Sequence, residues 1–157
     1  MNAAPKLELV QVSQVDDEIK VIGLDEPLLP DGIYEAVFEG HETSKVFNSD
    51  KVFLRFRIVE FGDHFGERLY RAYRVKSLKS KPGRKGSYTL NKRSELLLML
   101  VRVLGLNPRK DRPSLLGLKN RVLKIRTRTV KTDSKQRPLP ECLWYSVVDD
   151  VVSIVDR

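Results

Sequence analysis

Most of what a small enzyme or a secreted scaffold is built from is scarce in this chain. Its 157 residues hold one cysteine, so no internal disulfide can form. Cys142 stands between Pro140 and Trp144 on the approach to a strand and reads as a small buried hydrophobe in a reducing compartment. The two histidines, His41 and His64, cannot build a tetrahedral zinc site with one cysteine unless carboxylates join them, and their spacing fits no metal motif. Long hydrophobic runs are missing too. The densest apolar stretch, Leu96 to Leu106, is broken by Arg102 and too short to span a bilayer, and Met1 to Lys6 lacks the basic start and apolar run of an export signal. The expectation is a soluble cytoplasmic protein with no cofactor, no metal and no membrane partner. By length it is one domain, long enough to bury a core without staples.

Acids are scarce where it matters most. Between Arg71 and Arg137 only Glu95, Asp111 and Asp133 face 21 Lys and Arg, whereas the first 70 residues hold 7 basic and 14 acidic side chains. The formal net charge of +8 therefore hides a strong polarity. Cations packed this densely repel one another, and the commonest compensation is a polyanion whose condensed counterions they displace. Nucleic acid is the first expectation. The same scarcity disfavours a metal-dependent nuclease, which needs clustered acids near the phosphate. Asp149 and Asp150 are the one close pair near the basic stretch, and neighbours along a strand are expected to point to opposite faces. Gly83 to Gly86 lacks the Gly-Lys-Ser/Thr ending of a Walker loop. A non-enzymatic protein is expected.

Along the chain, residues 1 to 29 alternate weakly and include the acidic run Asp16, Asp17, Glu18; they read as an N-terminal extension, either an added strand pair or a mobile arm. After the turn signal Pro30-Asp31-Gly32, Tyr34, Ala36 and Phe38 alternate as a first strand, and His41 to Asp50 reads as a polar loop. Val52, Leu54, Phe56 and Ile58 opposed to Phe53, Arg55 and Arg57 form the cleanest strand. A glycine-bounded hairpin connection, Phe61 to Gly66, leads to a third strand from Arg68 to Ser77. Lys79 to Gly86 reads as a basic loop that can be neither helix nor buried strand. Asn91 or Ser94 can cap a helix with Leu96, Leu97, Leu100, Val101 and Leu104 on its stripe, stopped by Gly105 and Pro108. A short turn near Ser114 to Leu118, a fourth strand from Val122 to Val130, a basic loop from Thr132 to Pro140 and a fifth strand from Leu143 to Val155 complete the order.

Five strands with a helix between the third and fourth is the order of the OB-fold, a partly open barrel, here over residues 30–157. A four-stranded α+β sheet fits nearly as well. The segment Asp31-Gly32-Ile33-Tyr34-Glu35-Ala36, the strand Val52 to Ile58 running on through Gly62 to Gly66-Glu67-Arg68-Leu69-Tyr70, and the leucine helix closing on Leu104-Gly105-Leu106 resemble small phage- and plasmid-borne single-stranded DNA-binding proteins. The likeness spans residues 31 to about 130; the acidic first 30 residues have no counterpart in it. It implies an OB-type barrel used in replication or recombination of a mobile element, with replication or recombination proteins as partners.

A single-strand binder needs cations along the backbone and flat side chains for unstacked bases. If the apolar sides of strands two and three face the core, then Phe53, Arg55, Arg57, Arg68, Tyr70, Arg74 and Lys76 face outward together. Lys79, Lys81, Arg84 and Lys85 add a bendable basic loop, and Lys124, Arg126 and Arg128 add one face of the fourth strand. The plainer alternatives are that Phe53 covers a barrel end, that Tyr70 packs with its hydroxyl in water, that the loop is merely solvated and that strand-four cations guard an edge. Trp144 reads as core. The expected function is non-catalytic binding of single-stranded DNA with little sequence preference. Two alternatives stay open, an RNA binder and an OB module docking on an acidic protein; an exposed strand edge would also allow a homo-oligomer.

Overall fold

The computed structural model describes residues 27–105 and 108–155. The extension assigned to residues 1–29 therefore lies outside the described residues except for its last three. Among the described residues, eight strands and one α-helix follow in order: β1 (Ile33–Val46), β2 (Ser49–Ile58), β3 (Arg68–Arg74), β4 (Ser77–Leu78), β5 (Gly83–Arg84), β6 (Tyr88–Thr89), α1 (Glu95–Leu104), β7 (Val122–Val130) and β8 (Tyr145–Ile154). The long strands form an antiparallel sheet in the order β3-β2-β1-β7-β8, with β5 added on β1, while β4 pairs with β6.

β1 is much longer than its alternation suggests. Ala36 and Phe38 pair with Ile58 and Phe56, a bulge intervenes before Gly40, and the strand then runs on with His41 opposite Leu54 and Thr43 opposite Val52. The segment read as a loop is thus strand, because the bulge resets the alternation and lets polar Thr43 and Ser44 take buried places. Only Phe47 and Asn48 turn the chain, both at positive φ (48° and 62°), as a tight two-residue hairpin requires.

Period-two strands put one face inward. Val52, Leu54, Phe56 and Ile58 of β2, Leu69 and Tyr73 of β3, Leu123 and Ile125 of β7 and Val148 and Val151 of β8 are all sealed in one core. Helix α1 adds Leu96, Leu97, Met99 and Leu100. Its start is fixed by Ser94, whose hydroxyl accepts from the Leu97 N–H, and its end by Gly105, whose φ of 69° is one that glycine adopts without strain. Each large apolar side chain buried this way contributes roughly 1.5–3 kcal/mol.

Two arginines tie the helix to the strands on either side of it. Arg71 of β3 donates through Nε to the Asp149 carbonyl of β8 (3.1 Å) and through Nη2 to Glu95 of α1 (2.8 Å), and its guanidinium lies 4.2 Å from the Tyr73 ring centroid. Arg102 of α1 reaches Asp150 (2.9 Å) and the Val151 carbonyl (2.6 Å) on β8. Cys142 departs from expectation: it is exposed, in a 3-10 turn at Glu141–Leu143 rather than in the strand. Trp144 is half-buried outside the core, its Nε1 donating to the Leu139 carbonyl and Lys131 resting on its ring. No helix among the described residues is long and apolar enough to cross a membrane.

Candidate nucleic-acid interface

The fourteen cations and rings singled out by sequence separate into three environments. On the outer face of β2 and β3, Phe53 is only 2% exposed. Val46, from beyond the β1 bulge, packs with it, and Tyr70 and Ala72 cover the same cluster. This corrects the expectation of a stacking ring: Phe53 is occupied as a second, small core on the far side of the sheet. Tyr70 is half-buried against it. The arginines around them are occupied as well. Arg55, Arg57 and Arg68 converge on the single carboxylate of Glu39, at 3.8, 3.1 and 2.9 Å, and Arg55 also meets Glu42 at 3.2 Å. Arg74 is exposed at the end of β3, opposite Lys51.

On β7, Lys124, Arg126 and Arg128 alternate with the buried Leu123, Ile125 and Thr127 and point to solvent. Two of them are paired. Arg128 lies 3.2 Å from Asp149 and Arg126 4.0 Å from Asp150. The strand pairing skips a residue between Asp150 and Val148, a bulge that lets adjacent acids serve adjacent β7 arginines instead of opposite faces. Lys124 sits opposite Glu35 of β1. In the following loop Arg137 is held by Asp133 at 2.8 Å, and the three hydrogen bonds from Arg137 and Lys135 hold the Asp133 carboxyl below its usual range.

The third environment differs. The basic loop is not loose: β4 and β6 make a small hairpin, and the tip folds back so that Gly83 and Arg84 pair with Thr43 and Glu42 of β1. The segment expected as a basic loop thus carries a two-residue strand, and since Gly83 is half-buried and Arg84 exposed, it is neither helix nor buried strand, as expected. Gly86 is pressed against β1 so closely that a Cβ would sit 1.9 Å from Thr43 Oγ1, and the His41 Nε2–H donates to the Gly86 carbonyl (3.0 Å). The hairpin therefore holds its cations on a fixed frame. Lys76, Lys79, Lys81, Arg84 and Lys85 are exposed, and among the described residues none has a carboxylate within 4 Å.

Beside the hairpin runs a segment the sequence did not mark as part of the site. The Leu90 N–H donates to the Lys110 carbonyl (2.8 Å), which brings Arg109, Lys110 and Arg112 alongside. Between them lies a cleft of about 450 Å³ lined by His41, Lys79, Lys85, Gly86, Ser87, Tyr88, Arg109, Asp111, Arg112, Pro113 and Leu115. Asp111 is gripped through two hydrogen bonds by Arg109 (2.8 and 3.3 Å), which hold its carboxyl below the ordinary value. Tyr88 is 4% exposed and packs edge-on against His41; its hydroxyl has no hydrogen-bond partner among the described residues. Burial pushes that hydroxyl up, so it stays a donor at neutral pH. An unsatisfied buried hydroxyl costs about 1–3 kcal/mol.

Exposed rings are elsewhere than expected. Phe47 is 66% exposed at the β1–β2 turn, just beyond the β1 residues that pair with β5. Phe61 and Phe65 stack on each other, 6.1 Å apart, at the β2–β3 tip among Glu60, Asp63 and Glu67. The only sequence signal for these was an aromatic in a turn or a glycine-bounded loop. Among the described residues no three metal-binding side chains gather in one place. Comparisons with protein-family models, with curated proteins and with solved structures return no match.

Proposed function

We propose that the protein binds single-stranded DNA, without catalysis and with little sequence preference, through the β4–β6 hairpin and the 109–112 segment. The observation that carries this reading is the segregation of cations: Arg55, Arg57, Arg68, Arg126 and Arg128 of the strands lie within 4 Å of acids of neighbouring strands, whereas Lys79, Lys81, Arg84 and Lys85 of the hairpin are held on a fixed frame with no carboxylate within 4 Å among the described residues. Keeping such charges close together without a partner is costly, and a polyanion removes the cost while releasing its own counterions. The strand order β3-β2-β1-β7-β8, with α1 between β3 and β7 and Arg71 linking β3 to β8, supports an OB-type barrel. Phe47 supplies a ring on which a base can stack, in place of the occupied Phe53. The resemblance to phage- and plasmid-borne single-strand binders fits a role in replication or recombination of a mobile element.

A titration of labelled oligo(dT) at several salt concentrations tests the reading. With about four to eight phosphate contacts, log affinity falls against log salt with a slope of roughly −3 to −6. A flat response, or tighter binding to duplex, overturns it. Matched RNA and DNA strands in competition decide between the two nucleic acids, since the 2′-hydroxyl is the handle that distinguishes them.

A further inference from the structure

The cleft beside the hairpin holds more charge than a passing strand requires. Lys79 and Lys85 approach from the hairpin, Arg109 and Arg112 from the segment after the helix, and Asp111 offsets one of the four. An internal phosphodiester brings a single negative charge, whereas a terminal phosphomonoester brings about 1.5 to 2 and three acceptor oxygens. The cleft is also shaped for a small group and not only for a track. Its volume of about 450 Å³ falls in the range of small-ligand sites. Pro113, Leu115 and the Tyr88 ring give it an apolar wall, and the Tyr88 hydroxyl is left without a partner. The frame is set in advance: Gly86 packs on Thr43, and His41 holds its carbonyl.

We propose that this cleft seats the terminal phosphate of a nucleic-acid strand, with the end nucleoside against Tyr88, Pro113 and Leu115. The proposal rests on the single-strand reading and deepens it. The protein then favours strand ends over strand interiors wherever an end carries a phosphomonoester. Arg112 and Lys79 supply charge-assisted hydrogen bonds to the phosphate oxygens. Arg109 holds Asp111 through two hydrogen bonds, so that carboxylate offsets Arg109 and leaves the other three cations to the incoming dianion.

The test measures affinity for one oligo(dT) sequence in three forms at fixed ionic strength: 5′-phosphorylated, 3′-phosphorylated and unphosphorylated. One phosphorylated form is expected to bind about tenfold tighter than the unphosphorylated strand, and which one does so gives the polarity. Free thymidine monophosphate should compete with that increment, and inorganic phosphate should do so more weakly. Arg112→Ala should bring the ratio toward one; Arg126→Ala on β7 should leave the ratio as it is. Equal binding of all three forms with a steep salt dependence overturns the cleft proposal and leaves single-strand binding standing. An increment that survives Arg112→Ala places the end elsewhere and also overturns it. Binding of no form overturns both readings together.

Discussion

The arginines of β2, β3 and β7 and the cations of the β4–β6 hairpin look alike in sequence, yet the fold uses them in opposite ways. Glu39 gathers three guanidiniums within 4 Å, and Asp149 and Asp150 take two more, so these five arginines each already face a carboxylate. Lys79, Lys81, Arg84 and Lys85 have no such partner among the described residues. Formal charge therefore does not measure what a surface offers to a polyanion. A guanidinium must leave its carboxylate before it can meet a phosphate, which subtracts the value of the exposed pair, about 0–1 kcal/mol, from each such contact.

The contrast can be broken most forcefully by reversing charge in the hairpin. Lys79→Glu with Lys85→Glu should weaken oligo(dT) binding about 100-fold at low salt and flatten the salt slope by at least about 1.4, the share of two single-strand contacts; an unchanged slope would mean these lysines meet no phosphate. Phe53→Ala should cost about 3 kcal/mol in urea unfolding, as for other large-to-small core changes, because the ring is packed by Val46, Tyr70 and Ala72. Its affinity for oligonucleotide, measured where the variant is folded, should move by less than about threefold, since stacking on a base would have been worth about 1–3 kcal/mol. Glu39→Gln removes the acid that three arginines share, and affinity should rise about threefold at low salt as those charges become available. Arg126→Ala should change it by less than about twofold.

Period-two patterning made β2 and β7 readable, and Ser94 with Gly105 bounded the helix, since each signal is local. The succession of long elements along the chain, three strands, a helix and two strands, also followed from counting them. What escaped was set by contacts between distant residues. A bulge after Phe38 hid the second half of β1, and with it Val46, the residue that seals Phe53. Glu39 was visible as an outward acid of the first strand, but its three arginines come from two other strands and no spacing rule links them. Arg109 and Arg112 join the cleft through a backbone hydrogen bond between Leu90 and Lys110, which spans the whole helix and leaves no trace in either segment.

Lysine modification rates, read residue by residue with and without saturating oligo(dT), test the central claim most directly. Lys79, Lys85 and Lys110 should be protected several-fold while Lys124 on β7 reacts as before. Equal protection of both sets, or protection of Lys124 alone, would contradict the placement of the interface on the hairpin and the 109–112 segment instead of the β7 face.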